Sequence, residues 1–242
     1  MMCCSGAILQ DSQRVVAVVH ARMGSARFPG KMLAQLGGHP VLEWVVRRTL
    51  RTRGIDSFVL ATSDLSQDDA LVALGETIGI PTFRGSHENV LQRVIDAADS
   101  INASAVVRVC ADNPFIDSDL VTALVSDFRR EPCDYLFNHR PGLGLDIADG
   151  FGAEIFDMKV LRSIEDEFNE PRYREHLTSA IWEHQHRYSV RSLPVSAELR
   201  KSHLRFDVDT DEDLRFLDNL VSNGKLTMTS TAAEILKSVR VH

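Results

Sequence analysis

The sequence predicts a single α/β domain built on one doubly wound, mostly parallel sheet, with a smaller C-terminal elaboration. Three observations carry this. Short apolar, β-branched runs alternate with segments of helical apolar spacing. Those runs are apolar at successive positions, as in strands covered on both faces. The chain has 242 residues, 44% of them hydrophobic, which suffices for one core, and no shift in composition marks a second domain. Residues 14–242 are therefore read as one domain, and residues 1–13, which lack periodicity, as a loose extension.

The elements follow in order. Val15 to Val19 (VVAVV) is the first strand. A polar, glycine-containing loop runs from Ala21 to about Gly38. Pro40, Val41, Leu42, Val45, Val46 and Leu50 then mark a helix, with Arg47, Arg48, Arg51 and Arg53 on its solvated face and end. Phe58 to Thr62 is a second strand, and Gln67 to Ile78 a helix with Leu71, Leu74 and Ile78 inward. Asp64, Asp68 and Asp69 read as first-turn acids at the positive end of that helix. A short strand at 82–84, a helix at 88–101, the strand Ala105 to Cys110 and a helix at 119–128 continue the rhythm. Beyond Asp134 it loosens into the strand-like DYLFN, a glycine-rich stretch from Pro141 to Gly152, and helical patterns at 158–167 and 172–186. Strands are expected at 188–193 and 204–208. Thr210 caps a helix over 211–221, and Thr231 with Glu234 has capping-box spacing for the last helix.

Composition narrows the partners. Lys and Arg number 27 against 34 Asp and Glu, a net charge of −7, whereas proteins that grip a nucleic-acid polymer carry an extended basic surface. No apolar run reaches the roughly 20 residues needed to cross a bilayer. The start lacks a basic leader, so a cytoplasmic protein is expected. The four cysteines show no CxxC spacing, which points to free thiols.

The strongest local signal is the loop Ala21-Arg22-Met23-Gly24-Ser25-Ala26-Arg27-Phe28-Pro29-Gly30-Lys31. It holds three cations, no acid and two glycines directly after the first strand, where open α/β sheets bind ligands. Backbone amides can there approach an anion closely, which suits a polyphosphate. A solvated basic turn is the plainer alternative. The loop fits neither GxxxxGK[ST] nor GxGxxG, and Ser25 has no partner of an elbow-type nucleophile.

At ARMGSARFPGK the chain resembles the cytidylyltransferases that activate sugar acids, the CMP-sialate and CMP-KDO synthetases, and most of all the branch called spore-coat polysaccharide biosynthesis protein F. The resemblance runs from about Val15 to Leu217. It includes Ala61-Thr62-Ser63, Arg84-Gly85-Ser86 with Val90, Leu91 and Arg93, Ala111-Asp112-Asn113-Pro114, Arg174-Glu175-His176 and Val208-Asp209-Thr210. The branch more often has GDCP and VDTPED where this chain has ADNP and VDTDED; neither change removes an acid.

The resemblance implies a Rossmann-like fold of the nucleotide-diphospho-sugar transferase type. It further implies Mg²⁺-dependent transfer of CMP from CTP to a sugar acid or related acceptor, with release of pyrophosphate, by a homodimer that uses part of residues 134–186. Arg22, Lys31 and Asp112 would be catalytic. Ala21, Arg22, Gly24, Ser25, Arg27, Lys31, Ser63, Arg84 and Ser86 would bind the nucleotide, with Arg84 preferred to Arg93. Arg174, Glu175 and His176 would meet the acceptor, and Asp112 and Asp209 would hold the metal. Both aspartates follow predicted strands, so their carboxylates should emerge at one sheet edge, where Mg²⁺ uses one or two protein oxygens plus substrate phosphates. Taken singly, Asp112 could only start a turn and Asp209 only cap a helix. Two other classes stay open: a glycosyltransferase, because Asp207-Val208-Asp209 has DxD spacing, and a nucleotide-binding protein without turnover.

Overall fold

A computed structural model describes residues 13–239, so the extension expected over 1–13 lies, apart from Gln13, outside the described residues. The first strand, β1 (Val15–His20), shows why the sheet must be central: Val15 to Val19 have no solvent exposure. A strand that is apolar on both faces needs helices over each. After the phosphate-type loop, a small antiparallel hairpin, β2 (Gln35–Leu36) and β3 (His39–Pro40), turns at Gly37 and Gly38, both at positive φ as a two-residue primed turn requires. It leads into α1 (Val41–Thr49). Alternating strands and helices follow: β4 (Ser57–Ser63), α2 (Asp69–Ile78), β5 (Thr82–Gly85), α3 (Val90–Asp99), β6 (Ala105–Cys110) and α4 (Ser118–Arg130).

The second half adds β7 (Tyr135–Phe137), β8 (Glu154–Asp157), α5 (Met158–Glu167), α6 (Pro171–Glu175), α7 (Ser179–Glu183), β9 (Val190–Ser192), α8 (Asp211–Gly224) and α9 (Ala232–Val239). The seven-stranded sheet has the order β5-β4-β1-β6-β8-β7-β9. Only β8 runs against its neighbours, so the sheet is mostly parallel, as the sequence predicts. Side-chain alternation splits the core. Val15, Ala17 and Val19 face α1 and α4, whereas Val16 and Val18 share a cluster with Leu91, Val94 and Ile95 of α3.

Two expectations are corrected, and one strand is added. No strand forms over 204–208; only Arg205 bridges to Asp149, because a turn at Lys201 to Leu204 and the Arg205–Asp207 ion pair hold the segment outside the sheet. The helix expected at 172–186 is α6, α7 and a 3-10 turn at 185–187, since the chain leaves helical dihedrals at His176 and again at His184. The strand β8 was hidden from sequence reading, being four residues directly after the glycine-rich stretch. Gly152, just before it, has no room for a side chain: a Cβ would lie 2.3 Å from the Asn138 carbonyl oxygen.

Asp117 fastens the end of the fold. One of its carboxylate oxygens accepts the Asp119 and Leu120 amides at the start of α4, and the other accepts the Ala232 amide at the start of α9. Arg48, buried beneath, donates to the carbonyls of Phe115, Ile116 and Ser230. Asp117→Ala is expected to destabilise the protein by about 3 kcal/mol, the loss of a helix cap plus a buried charge-assisted bond; urea denaturation measures it.

Candidate active site

In an open α/β sheet the ligand crevice lies where the strand order reverses, outside the carboxyl ends of the strands. Here that point lies between β1 and β6, and His20 and Cys110 are register partners at their ends. A cavity of about 420 Å³ opens there, lined by residues of the loop 20–32, by Arg93 of α3, by the stretch Arg108 to Asp112, by Glu175 and His176, and by Asp209.

The loop owes its shape to a carboxylate that sequence reading set aside. Asp68 has no exposure. It accepts the Met23 amide at 2.7 Å and both the amide and hydroxyl of Ser63, so it clamps the loop to the end of β4. It makes no capping bond to α2. Further along, the Gly30 amide returns to the Met23 carbonyl and the Ser25 hydroxyl accepts the Phe28 amide. Gly30 itself sits at φ +76°, a conformation that favours glycine and turns Lys31 inward.

Lys31 is the centre of the site. Its Nζ, buried, donates to the Val208 carbonyl at 2.7 Å and reaches Asp112 Oδ2 at 3.1 Å and Asp209 Oδ1 at 3.3 Å. The Val208 amide donates to the Asp112 carbonyl, which draws the two acidic segments together. Asp209 therefore reaches Asp112 through one backbone bond and a shared lysine rather than from a sheet strand. Arg27 Nη2 lies 3.0 Å and Arg205 Nη2 3.3 Å from the Asp209 carboxylate. Across the cavity mouth Arg22 pairs with Glu175 at 2.9 Å.

Of the residues singled out from sequence, Ala21, Arg22, Gly24, Ser25, Arg27, Lys31, Asp112, Glu175, His176 and Asp209 line this one cavity. Ser63, Arg84, Ser86 and Arg174 do not. Ser63 is spent on Asp68. Arg84 binds the Asp69 carboxylate and the carbonyls of Ser63 and Leu65. The Ser86 hydroxyl accepts the Asn89 amide. Arg93, ranked below Arg84 from sequence, lines the cavity instead. His20 and Arg108 also line it and were not singled out. Their signal was present: a histidine and an arginine inside otherwise apolar strands.

A family model described as cytidylyltransferase matches residues 16–234. The chain belongs to the cytidylyltransferase family. Spore coat polysaccharide biosynthesis protein SpsF of Bacillus subtilis is 30% identical over 226 residues, 92% of each chain. The 3-deoxy-manno-octulosonate cytidylyltransferase of Trichlorobacter lovleyi is 33% identical over 120 residues, 49% of this chain and 46% of that one. A solved cytidylyltransferase from Leptospira borgpetersenii superposes with a TM-score of 0.88 at 26% identity, covering 95% of this chain and 94% of the other. The chain is accordingly a CTP-dependent nucleotidyltransferase, and no described helix is long and apolar enough to cross a membrane.

In this cytidylyltransferase the wall beside the loop is strongly polarised. Burial, together with the charges of Arg108, Arg93 and Arg22, holds His20 well below the ordinary histidine range, so its imidazole is neutral at pH 7. Burial pushes the Cys110 thiol up to about 12, which removes thiolate chemistry from the cavity. Behind Arg108 lies Glu154, its register partner on β8. Glu154 is buried, yet Arg108, His139 and the Tyr135 hydroxyl keep its carboxyl below the usual range. His139, desolvated beside it, is pulled down to about 4 despite the neighbouring carboxylate.

Two outcomes follow from this arrangement. Asp68→Asn weakens the clamp on Met23, and a loop displaced by even 1 Å is expected to lower kcat/KM for CTP by roughly 10²-fold, read from initial rates. His139 binds fewer protons in the folded than in the unfolded chain between its folded value and about 6.5. Its contribution to stability is thus complete above about pH 6.5 and is lost as the pH falls toward 4. His139→Gln should reduce the stability lost between pH 7 and pH 5 by about 2 kcal/mol, measured by urea denaturation at both values.

Proposed function

We propose that the chain transfers CMP from CTP to a sugar acid or related acceptor in a cytoplasmic step of surface polysaccharide synthesis, and that pyrophosphate leaves. The observation that carries this reading is Lys31, held between Asp112 and Asp209 at the end of the loop that also carries Arg22 and Arg27. A lysine so placed is poised for a triphosphate, and the two carboxylates are placed for its cation. The name of the Trichlorobacter relative supports a sugar-acid acceptor, and that of the Bacillus relative supports polysaccharide synthesis.

The residues present fit Mg²⁺. Asp112 and Asp209 already converge on one cationic point, and among the described residues no cluster of three metal-ligating side chains exists. Two carboxylates suit an ion that completes its shell with water and substrate phosphates. When bound, Mg²⁺ would neutralise phosphate oxygens and orient the triphosphate. The chain's own groups would do the rest. Arg22 and Lys31 hold the phosphates and offset charge on the departing pyrophosphate, while Gly24 and Ser25 offer backbone amides. The acceptor oxygen attacks the α-phosphorus in line from the side of Glu175 and His176.

Asp207, the first acid of the DxD spacing, is bound by Arg205 and does not line the cavity; the glycosyltransferase alternative loses that support. The reading includes a homodimer formed through part of residues 134–186, which light scattering checks.

Incubation with CTP, Mg²⁺ and a panel of ulosonic acids, sugar phosphates and phosphonates should release pyrophosphate with one acceptor class. Folded protein that releases none with any of them sinks the reading. Lys31→Met and Asp112→Asn are each expected to lower kcat by about 10²- to 10³-fold, the effect of removing one group that stabilises transition-state charge.

A further inference from the structure

The charges of the cavity do not all cancel. Arg22, Arg27 and Lys31 are each paired with a carboxylate of the site, Glu175, Asp209 or Asp112. Arg93 is not. It is 1% exposed, forms no ion pair among the described residues, gives Nη1 to the Ser86 carbonyl, and leaves its Nε buried without an acceptor. Arg48, similarly buried, also leaves one nitrogen, Nη1, unmatched, but it gives Nε and Nη2 to three backbone carbonyls, whereas Arg93 gives Nη1 to one. Arg108 spends Nη1 on Glu154 but also leaves Nε buried and unmatched, and His20 leaves Nε2 in the same state.

Strand alternation gathers these groups. Val16 and Val18 lie in the cluster under α3, so His20 shares their face of β1. Val106 lies in the same cluster, so Arg108 shares its face of β6. Arg93 comes down from α3, and all three line one cavity. Arg93 feels the Asp68 and Asp64 carboxylates only from beyond ion-pair distance, and a buried guanidinium so placed is costly unless an anion completes it. Each of the three keeps one nitrogen buried and unmatched, and two guanidinium groups and an imidazole on the wall of one cavity are a donor set for an oxyanion.

We propose that Arg93, Arg108 and His20 form a receptor for an oxyanion carried by the acceptor itself, a carboxylate or a phosphate. This rests on the cytidylyl-transfer reading. The nucleotide's phosphates already have Arg22, Arg27 and Lys31. Arg108 stands four residues before Asp112, on the order of 10 Å along the strand direction, a span that one sugar-sized molecule bridges between its anionic group and its attacking oxygen. Glu175 and His176 line the same space and face such a molecule. The acceptor would therefore enter as an anion, its charge fixed by groups separate from those that bind CTP.

The test titrates the full chain, saturated with CTP and Mg²⁺, with glycolate and separately with inorganic phosphate, followed by calorimetry. Wild-type protein should bind at least one of them beside CTP, and the preferred one states whether carboxylate or phosphate is recognised. Arg93→Met should weaken that binding at least tenfold while CTP affinity stays within twofold. Arg93→Lys should recover part of it. Should Arg93→Met fail to fold, His20→Asn carries the test, with at least a threefold loss expected. Displacement of the oxyanion by CTP, unchanged oxyanion binding in the variants, or no binding of either anion beside CTP would overturn the receptor. Failure to bind CTP falls instead on the reaction assigned above.

Discussion

One buried ammonium holds the active edge together. Lys31 arrives from the loop after β1, Asp112 from the end of β6 and Asp209 from the segment before α8, so three parts of the chain meet at Nζ. Two carboxylates brought this close repel each other unless a cation stands between them. The lysine supplies that cation when the protein is alone. The backbone bond from Val208 to Asp112 fixes the spacing, and the αL glycine at 30 gives the lysine its direction. Loop, sheet edge and C-terminal half are thus registered to one another by a group that also has a chemical task.

The walls of the cavity follow two different electrostatic regimes. On the loop side each positive group has a negative neighbour, and Arg22 and Arg27 are open enough to water that these pairs exchange readily. On the sheet side Arg93 and Arg108 are desolvated: Arg108 pairs with Glu154, which is itself shared with Tyr135 and His139, and Arg93 forms no ion pair among the described residues. The first regime suits a ligand that brings its own cation. The second suits a ligand that comes as a bare anion.

The parallel half of the fold was legible because its strands are apolar on both faces and its helices keep a clear stripe. Val15 to Val19 could belong only to a covered central strand. Glu154 to Asp157 could not be read in the same way: four residues carry too little period, and Glu154 is a charge whose burial depends on Arg108 from elsewhere in the chain. The loop cations and both metal-type aspartates were visible as motifs. Asp68 was not, because a carboxylate in a first helical turn is ordinarily a solvated acid. Its burial is decided by the distant Met23 amide, which no local pattern reports. Arg84 and Arg93 looked alike in sequence, and only the packing of α3 over the sheet separates them. The same limit explains residues 204–208, whose apolar alternation is real but whose backbone partners are single residues, Asp149 and Asp112, rather than a neighbouring strand.

The reversed direction of β8 bears on how such a protein can change. A parallel strand delivers its end to the ligand edge and needs a long crossover to return. An inverted strand delivers its beginning. The glycine-containing segment between Phe137 and Glu154 therefore lies at the same edge as the ends of β1 and β6, joined to the sheet at both of its own ends by antiparallel pairing. Lengthening or shortening that segment alters what borders Arg108 and Glu154 without passing through β1, β4 or β5. Architecture thus brings to one edge a half bound to the nucleotide loop and a second segment that reaches it from the antiparallel side, anchored by Ile147, Ala148 and Phe151 in the core.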